Sequence, residues 1–304
     1  MGMARWDPDA WARYAKTARG RARHEIFSRR SIDPAFDPRS IDMRESRDSD
    51  LNPASNAIVI AFDETGSMGA IPEAFVREGL STLVETILDR QPVSDPHTMI
   101  MGFGDAWTDE APLQVTQFEA DIRIAEQLAR IYLEGNGGGN AHEGYNLPWY
   151  FAARHTSIDC FEKRGRKGYL FTVGDEPPAP VLLREHIQRI TGDAVQSDIS
   201  TPELLTMVSR SYEVFHVMVE EGSYFRHSGR RVMREWRDLL GQRALRLSDY
   251  TKLAEVIVSA IEVNEGRSSA DVARSWSGDT SLVVRRAVRD LTVRTETETG
   301  LVRL

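Results

Sequence analysis

The 304-residue chain is 41% hydrophobic and 28% charged, enough apolar material for a packed core, and its net charge of −8 argues against a general nucleic-acid binder. No apolar run reaches the roughly 18 residues of a membrane span, and Met1-Gly2-Met3-Ala4-Arg5-Trp6 has neither the apolar region of a signal peptide nor a myristoylation pattern. The lone Cys160 excludes an internal disulfide and there is no N-x-Ser/Thr sequon, so a cytoplasmic protein is the expectation.

Charge is unevenly placed. Residues 1–50 hold eleven Lys and Arg against nine Asp and Glu, residues 267–304 hold seven against five, and the stretch between carries −12. An acidic centre fits a cation site better than a nucleic-acid surface.

Residues 7–24 read as an amphipathic helix with Trp11, Tyr14 and Ala15 on one face and Arg13, Lys16, Arg19, Arg21 and Arg23 elsewhere. A solvated face packed on the domain or a partner is the plainer reading of that basic run; a nucleic-acid or membrane-surface role is the sharper one, and neither partner is expected. Residues 30–56, rich in Asp, Pro, Ser and Arg, read as an irregular connector. Arg30-Ser31-Ile32-Asp33 echoes Arg39-Ser40-Ile41-Asp42, but two copies do not make a repeat architecture.

From Asn56 onward strands and helices alternate, the pattern of a doubly wound, mostly parallel α/β sheet of about six strands with helices on both faces. Strands are expected at 57–62, 98–104, 113–118, 168–173, 213–219 and 244–247. Helices are expected at 71–90, 120–133, 145–155, 180–191, 229–240 and 249–264. The pattern divides the chain into an N-terminal helix and connector (1–55), the α/β domain (56–265) and a C-terminal helical extension and tail (266–304), helical at 279–291.

The most informative stretch is Ala57-Ile58-Val59-Ile60-Ala61-Phe62-Asp63-Glu64-Thr65-Gly66-Ser67-Met68-Gly69. Six apolar residues predict a strand buried on both faces. It stops at a carboxylate and gives way to a hydroxyl–glycine–hydroxyl loop, and Pro72 marks a helix start. Asp63, Thr65 and Ser67 therefore sit at the carboxyl end of a central strand, where open α/β sheets bind ligands. One carboxylate and two neutral hydroxyls suit Mg²⁺ or Mn²⁺ rather than zinc or copper.

Asp63-x-Thr65-Gly66-Ser67 resembles the first segment of the metal-ion-dependent adhesion site of von Willebrand factor A domains, and the likeness extends over about residues 56–265. It is nearer the intracellular prokaryotic branch. The resemblance implies a second loop carrying a Thr. Here the corresponding loop, Gly135 to Gly144, has none and offers Asn140 and Glu143 instead. It also implies a third loop carrying an Asp, which Asp175 matches, with Glu176 beside it; Asp105 ends another strand at the same edge. The implied ligand set is thus Asp63, Thr65, Ser67 and Asp175, helped by Asn140 or Glu143, for Mg²⁺, Mn²⁺ or Ca²⁺. The implied role is non-enzymatic: the cation engages an acidic residue of a protein partner, and intracellular members often work beside AAA+ ATPases of the MoxR type.

Other chemistries are weaker. The glycine-rich segment lacks the Gly-Lys-Ser/Thr ending of a phosphate-binding loop. His142 has no second His or Cys at ligand spacing, and His155 with Cys160 makes no nucleophile pair. Asp63-Glu64-Thr65-Gly66-Ser67 also resembles the phosphorylation loop of P-type ATPases in the haloacid dehalogenase superfamily, which would make Asp63 a nucleophile. Thr65 stands where soluble phosphatases of that superfamily place an acid/base Asp. A metal-independent assembly component is the third reading.

Overall fold

The computed structural model describes residues 29–69, 71–74, 80–134 and 143–292, together with 7, 9, 13 and 16. The basic helix expected at 7–24, the glycine loop at 135–139 and the last twelve residues therefore fall largely outside it.

Ten strands run in chain order: β1 Arg44–Ser46, β2 Asn56–Asp63, β3 Pro96–Phe103, β4 Leu113–Val115, β5 Thr156–Ile158, β6 Gly168–Gly174, β7 Val181–Leu182, β8 Ile199–Ser200, β9 Tyr212–Val219 and β10 Ala244–Leu247. Six of them build the central sheet in the order β10-β9-β6-β2-β3-β4. All neighbours are parallel except β3 and β4, so β4, within the strand expected at 113–118, forms an antiparallel edge. Counted among themselves in chain order these six lie 3-2-1-4-5-6, the doubly wound arrangement in which the winding direction reverses between the first and fourth strands. Here those strands are β2 and β6. Their carboxyl ends are therefore the place to look for a site.

Every residue of β2 is buried. The period-two alternation of a strand sends Ile58, Ile60 and Phe62 into one core and Ala57, Val59 and Ala61 into the other. The first core is closed by Leu83 and Ile87 of the Leu80–Arg90 helix and by Val256 and Ile257 of the Leu253–Asn264 helix. Val272 and Val284 of the helices Ser269–Arg274 and Gly278–Val288 join the same core, so the helical extension packs as part of it. The second core is closed by Trp149 and Phe151 from Asn146–Arg154, Ile187 from Arg184–Thr191, Leu204 from Thr201–Val208 and Trp236 from Ser223–Leu240. Each fully buried Ile or Val is worth about 1.5–3 kcal/mol, and the sheet is covered on both faces.

The structure departs from the sequence reading in several local places. Within the stretch read as an irregular connector, β1 pairs in parallel with β5. The helix expected at 120–133 is confined to Arg123–Leu128. The start of the helix expected at 180–191 is instead β7, paired antiparallel with β8. A helix Thr201–Val208, capped by Ser200 and carrying Pro202 in its first turn, fills a stretch with no expected element. No helix among the described residues is long and apolar enough to cross a membrane.

Candidate metal centre

β2 delivers Asp63, fully buried, to the sheet's carboxyl edge. The chain then folds back on that carboxylate. The Thr65 backbone N–H donates to Asp63 Oδ1 at 2.8 Å and the Thr65 hydroxyl donates to the same oxygen at 2.6 Å, an Asx-type turn. A 3₁₀ turn at Gly66–Met68 lifts Ser67 so that its Oγ lies 3.1 Å from Thr65 Oγ1. Ser67 Oγ then donates to Asp175 Oδ1 at 2.7 Å. Asp175 is the residue after β6, which pairs with β2 in parallel with Phe62 opposite Val173. Two carboxylates thus leave adjacent strands at one level, and the two hydroxyls link them.

Asp175 is held from its other side by the Ser223–Leu240 helix. Its Oδ2 accepts the backbone N–H groups of Tyr224 (2.8 Å) and Phe225 (3.4 Å), at the positive end of the helix dipole. Gly222 makes this approach possible, since a Cβ there would lie 2.2 Å from Asp175 Oδ2. Tyr145 is the support under Asp63. Its hydroxyl donates to Asp63 Oδ2 at 3.3 Å and accepts the Glu176 N–H at 3.1 Å. The ring stands edge-on to Phe103, His216 and Trp236, and Trp236 donates its indole N–H to the Glu176 carbonyl at 2.8 Å. Below it His216 stacks flat on Trp236 at 3.6 Å; burial drives its pKa far down and keeps the imidazole neutral.

Four carboxyl groups crowd this edge. Burial first, then the Asp175 charge, pushes Asp63 up, against hydrogen bonds from Thr65 and Tyr145. Burial also raises Asp175. Glu143 is raised by burial and then by Asp63, Glu176 and Asp105, and Glu176 is pushed up to about 8 by burial, Asp63 and Asp175. Glu143 and Glu176 are 3% and 6% exposed, and Oε2 of each has no hydrogen-bond partner. Buried carboxylates without a counter-charge are costly. A bound cation would lower all four at once.

The donor chemistry fits a hard divalent cation. The successive oxygens along the chain Asp63 Oδ1, Thr65 Oγ1, Ser67 Oγ and Asp175 Oδ1 are 2.6, 3.1 and 2.7 Å apart. Mg²⁺–oxygen distances near 2.1 Å place adjacent octahedral ligands about 3.0 Å from each other, so oxygens already spaced for hydrogen bonds are spaced for ligation. Among the described residues no group of three or more His, Cys, Asp and Glu is disposed to hold a metal ion. A set of two carboxylates and two hydroxyls lies outside that class. Ser67 and Gly66 are the less buried members of the loop and mark the way in.

Of the residues the sequence proposed, Asp63, Thr65, Ser67 and Asp175 are joined in one hydrogen-bonded chain. Glu143 reaches the cluster through its charge, with no hydrogen bond to the four, and Asn140 lies outside the described residues. Asp105 is engaged in its own turn, accepting the Trp107 N–H and the Thr108 hydroxyl, while its charge acts on Glu143 and Glu176. Tyr145 and Gly222 went unnoticed in the sequence, where no local pattern ties them to Asp63 or Asp175. His155 is bonded to Asp193 and the Asp42 carbonyl, and Cys160 is buried.

No family model matches the chain, and no curated protein matches it. Solved structures do. The pilus adhesin SpaC from Lactobacillus rhamnosus GG, in its open conformation, aligns over 73% of this chain and 31% of its own at 9% identity and a TM-score of 0.47. A von Willebrand factor type A protein from Catenulispora acidiphila aligns over 71% and 44% at 14% identity and a TM-score of 0.37. Proximal thread matrix protein 1 from the mussel byssus aligns over 69% and 46% at 12% identity and a TM-score of 0.41. The chain spans less than half the length of each. At these scores the architecture rests on the chain's own strand order.

Proposed function

We propose that this chain is a cation-dependent protein-interaction module of the von Willebrand factor A type. In this reading Asp63, Thr65, Ser67 and Asp175 hold Mg²⁺, with Mn²⁺ or Ca²⁺ as substitutes, and Glu143 or Asn140 assists directly or through water. The cation keeps an open position for an acidic side chain of a protein partner, and the site binds without turnover. The supporting observation is the hydrogen-bonded chain of four oxygens at the point where the sheet's winding reverses, set among carboxyl groups that burial raises. An AAA+ ATPase is proposed as a partner class on fold analogy alone.

The test is calorimetric titration of Mg²⁺ and Mn²⁺ into wild type and Asp63→Asn, with hydrolysis of p-nitrophenyl phosphate followed on the same samples. Wild type is expected to bind one cation, the variant at least about a hundredfold more weakly, and neither to turn over substrate. Equal binding by the variant would sink the reading. Turnover dependent on Asp63 would install phosphoryl transfer in its place.

A further inference from the structure

Next to the metal centre, sharing Glu143 with it and lined also by Asp105, lies a cavity of about 240 Å³. Its walls are largely apolar, with Ala106, Pro180 and Leu182 among them. At its rim stands Trp107, 63% exposed, steadied edge-on by His186 at 4.5 Å. An exposed Trp facing an apolar cavity is the arrangement of a binding anchor rather than of a solvated surface.

Two polar side chains of this cavity are nine-tenths buried and incompletely bonded. Asn146, 3% exposed, has no partner for its Nδ2 donor, and Glu143, also 3% exposed, has none for Oε2. A buried donor left unpaired is unfavourable. One peptide group carries both complements, a carbonyl for Asn146 and an N–H for Glu143. The volume is below the roughly 300–1,000 Å³ of small-molecule sites and suits a single aliphatic side chain. Successive residues of an extended segment advance about 3.3 Å, so a segment whose carboxylate reached the cation would carry its neighbours past the wall that the two sites share.

We propose that this cavity receives an aliphatic side chain, of leucine size, from the same extended partner segment that presents the acidic residue to the cation. The inference rests on the metal-bridge reading above and adds a specificity to it: the partner is recognised by an acidic residue flanked by an aliphatic one, with the intervening peptide group bonded to Asn146 and Glu143.

The experiment uses the full chain and two fluorescein-labelled peptides, Gly-Leu-Glu-Leu-Gly-amide and Gly-Gly-Glu-Gly-Gly-amide, followed by anisotropy with Mg²⁺ or with EDTA. The flanking leucines cover both chain directions. The leucine peptide is expected to bind only with Mg²⁺ and about tenfold or more tighter than the glycine peptide, as the burial of one aliphatic side chain requires. Trp107→Ala should bring the leucine peptide down to the level of the glycine peptide. Equal affinities of the two peptides, or indifference to Trp107→Ala, would overturn the pocket while leaving the metal bridge intact. Mg²⁺ binding by wild type with capture of neither peptide would do the same. Trp107-dependent self-association without peptide capture would assign the cavity to a second copy of the chain and overturn the proposal. Absence of Mg²⁺ binding in calorimetry, or capture that survives EDTA, marks failure of the metal bridge itself, and the proposal falls with it.

Discussion

The two ends of one sheet handle buried acid in opposite ways. At the amino ends of β2 and β6, Asp159 is 2% exposed and is met by Arg47 at 2.9 Å and Lys163 at 2.7 Å. Asp48 accepts Arg164 at 2.7 Å and the Ser55 hydroxyl at 2.7 Å. Burial pushes the Asp48 carboxyl up, but those bonds and the Arg164 charge outweigh it and hold the group well below the usual carboxylate range. At the carboxyl ends, Asp63, Asp175, Glu143 and Glu176 are equally buried, and all four are raised. Where acid serves architecture, the chain supplies the counter-charge. Where it does not, the proposed reading has the counter-charge come from solution.

That contrast can be broken from either end. The largest effect is expected at the amino end, where Arg47→Ala strips Asp159 of one of its two cationic partners and should cost about 2 kcal/mol in urea unfolding; a loss below about 0.5 kcal/mol would put Arg47 among ordinary surface pairs. At the carboxyl end the sign reverses. Glu176→Gln should stabilise the metal-free protein at pH 9 by about 1–2 kcal/mol, since it removes a carboxylate that folding makes harder to ionise. Destabilisation there would mean that the carboxylate has a partner. Tyr145→Phe, which leaves the buried Glu176 N–H without an acceptor, should cost about 1 kcal/mol and weaken Mg²⁺ binding in calorimetry.

The smallest effect is the pH dependence, and it sharpens the comparison. Burial pushes His97, bonded to Ser46 near the amino edge, down to about 4 from 6.5, so the unfolded chain binds more protons between those values and stability rises with pH there. Glu176 is raised from 4.5 to about 8, so the folded chain binds more protons across that window and stability falls as pH rises through it. Above pH 6.5 only the second contribution of this pair remains. Metal-free protein should therefore lose about 3 °C in Tm between pH 6.5 and 8, measured by scanning calorimetry, and saturating Mg²⁺ should abolish the loss. A flat metal-free profile would contradict the uncompensated carboxyl edge.

The parts legible in the sequence are those written in local pattern. The apolar run 57–62 ending in Asp63, the hydroxyls two and four residues on, and the strand before Asp175 all follow from periodicity and residue chemistry, and the sheet places them together. Tyr145 and Gly222 act on Asp63 and Asp175 from 82 and 47 residues away in sequence; only the tertiary approach makes them partners. β1 is three residues long, too short for an alternation to show, and it forms because β5 offers an edge. The helix Thr201–Val208 did carry a signal, a Ser cap followed by Thr-Pro-Glu.

Because Trp236 donates its indole N–H to the Glu176 carbonyl and is wholly buried, while Trp107 stands open at the cavity rim, the two chromophores sample the two halves of the proposed binding event separately. A dissolved quencher such as iodide reaches Trp107 and spares Trp236. Intrinsic emission, resolved into its quenchable and protected fractions and assigned with Trp107→Phe and Trp236→Phe among the six tryptophans, would then time cation arrival against occupation of the cavity without any attached dye.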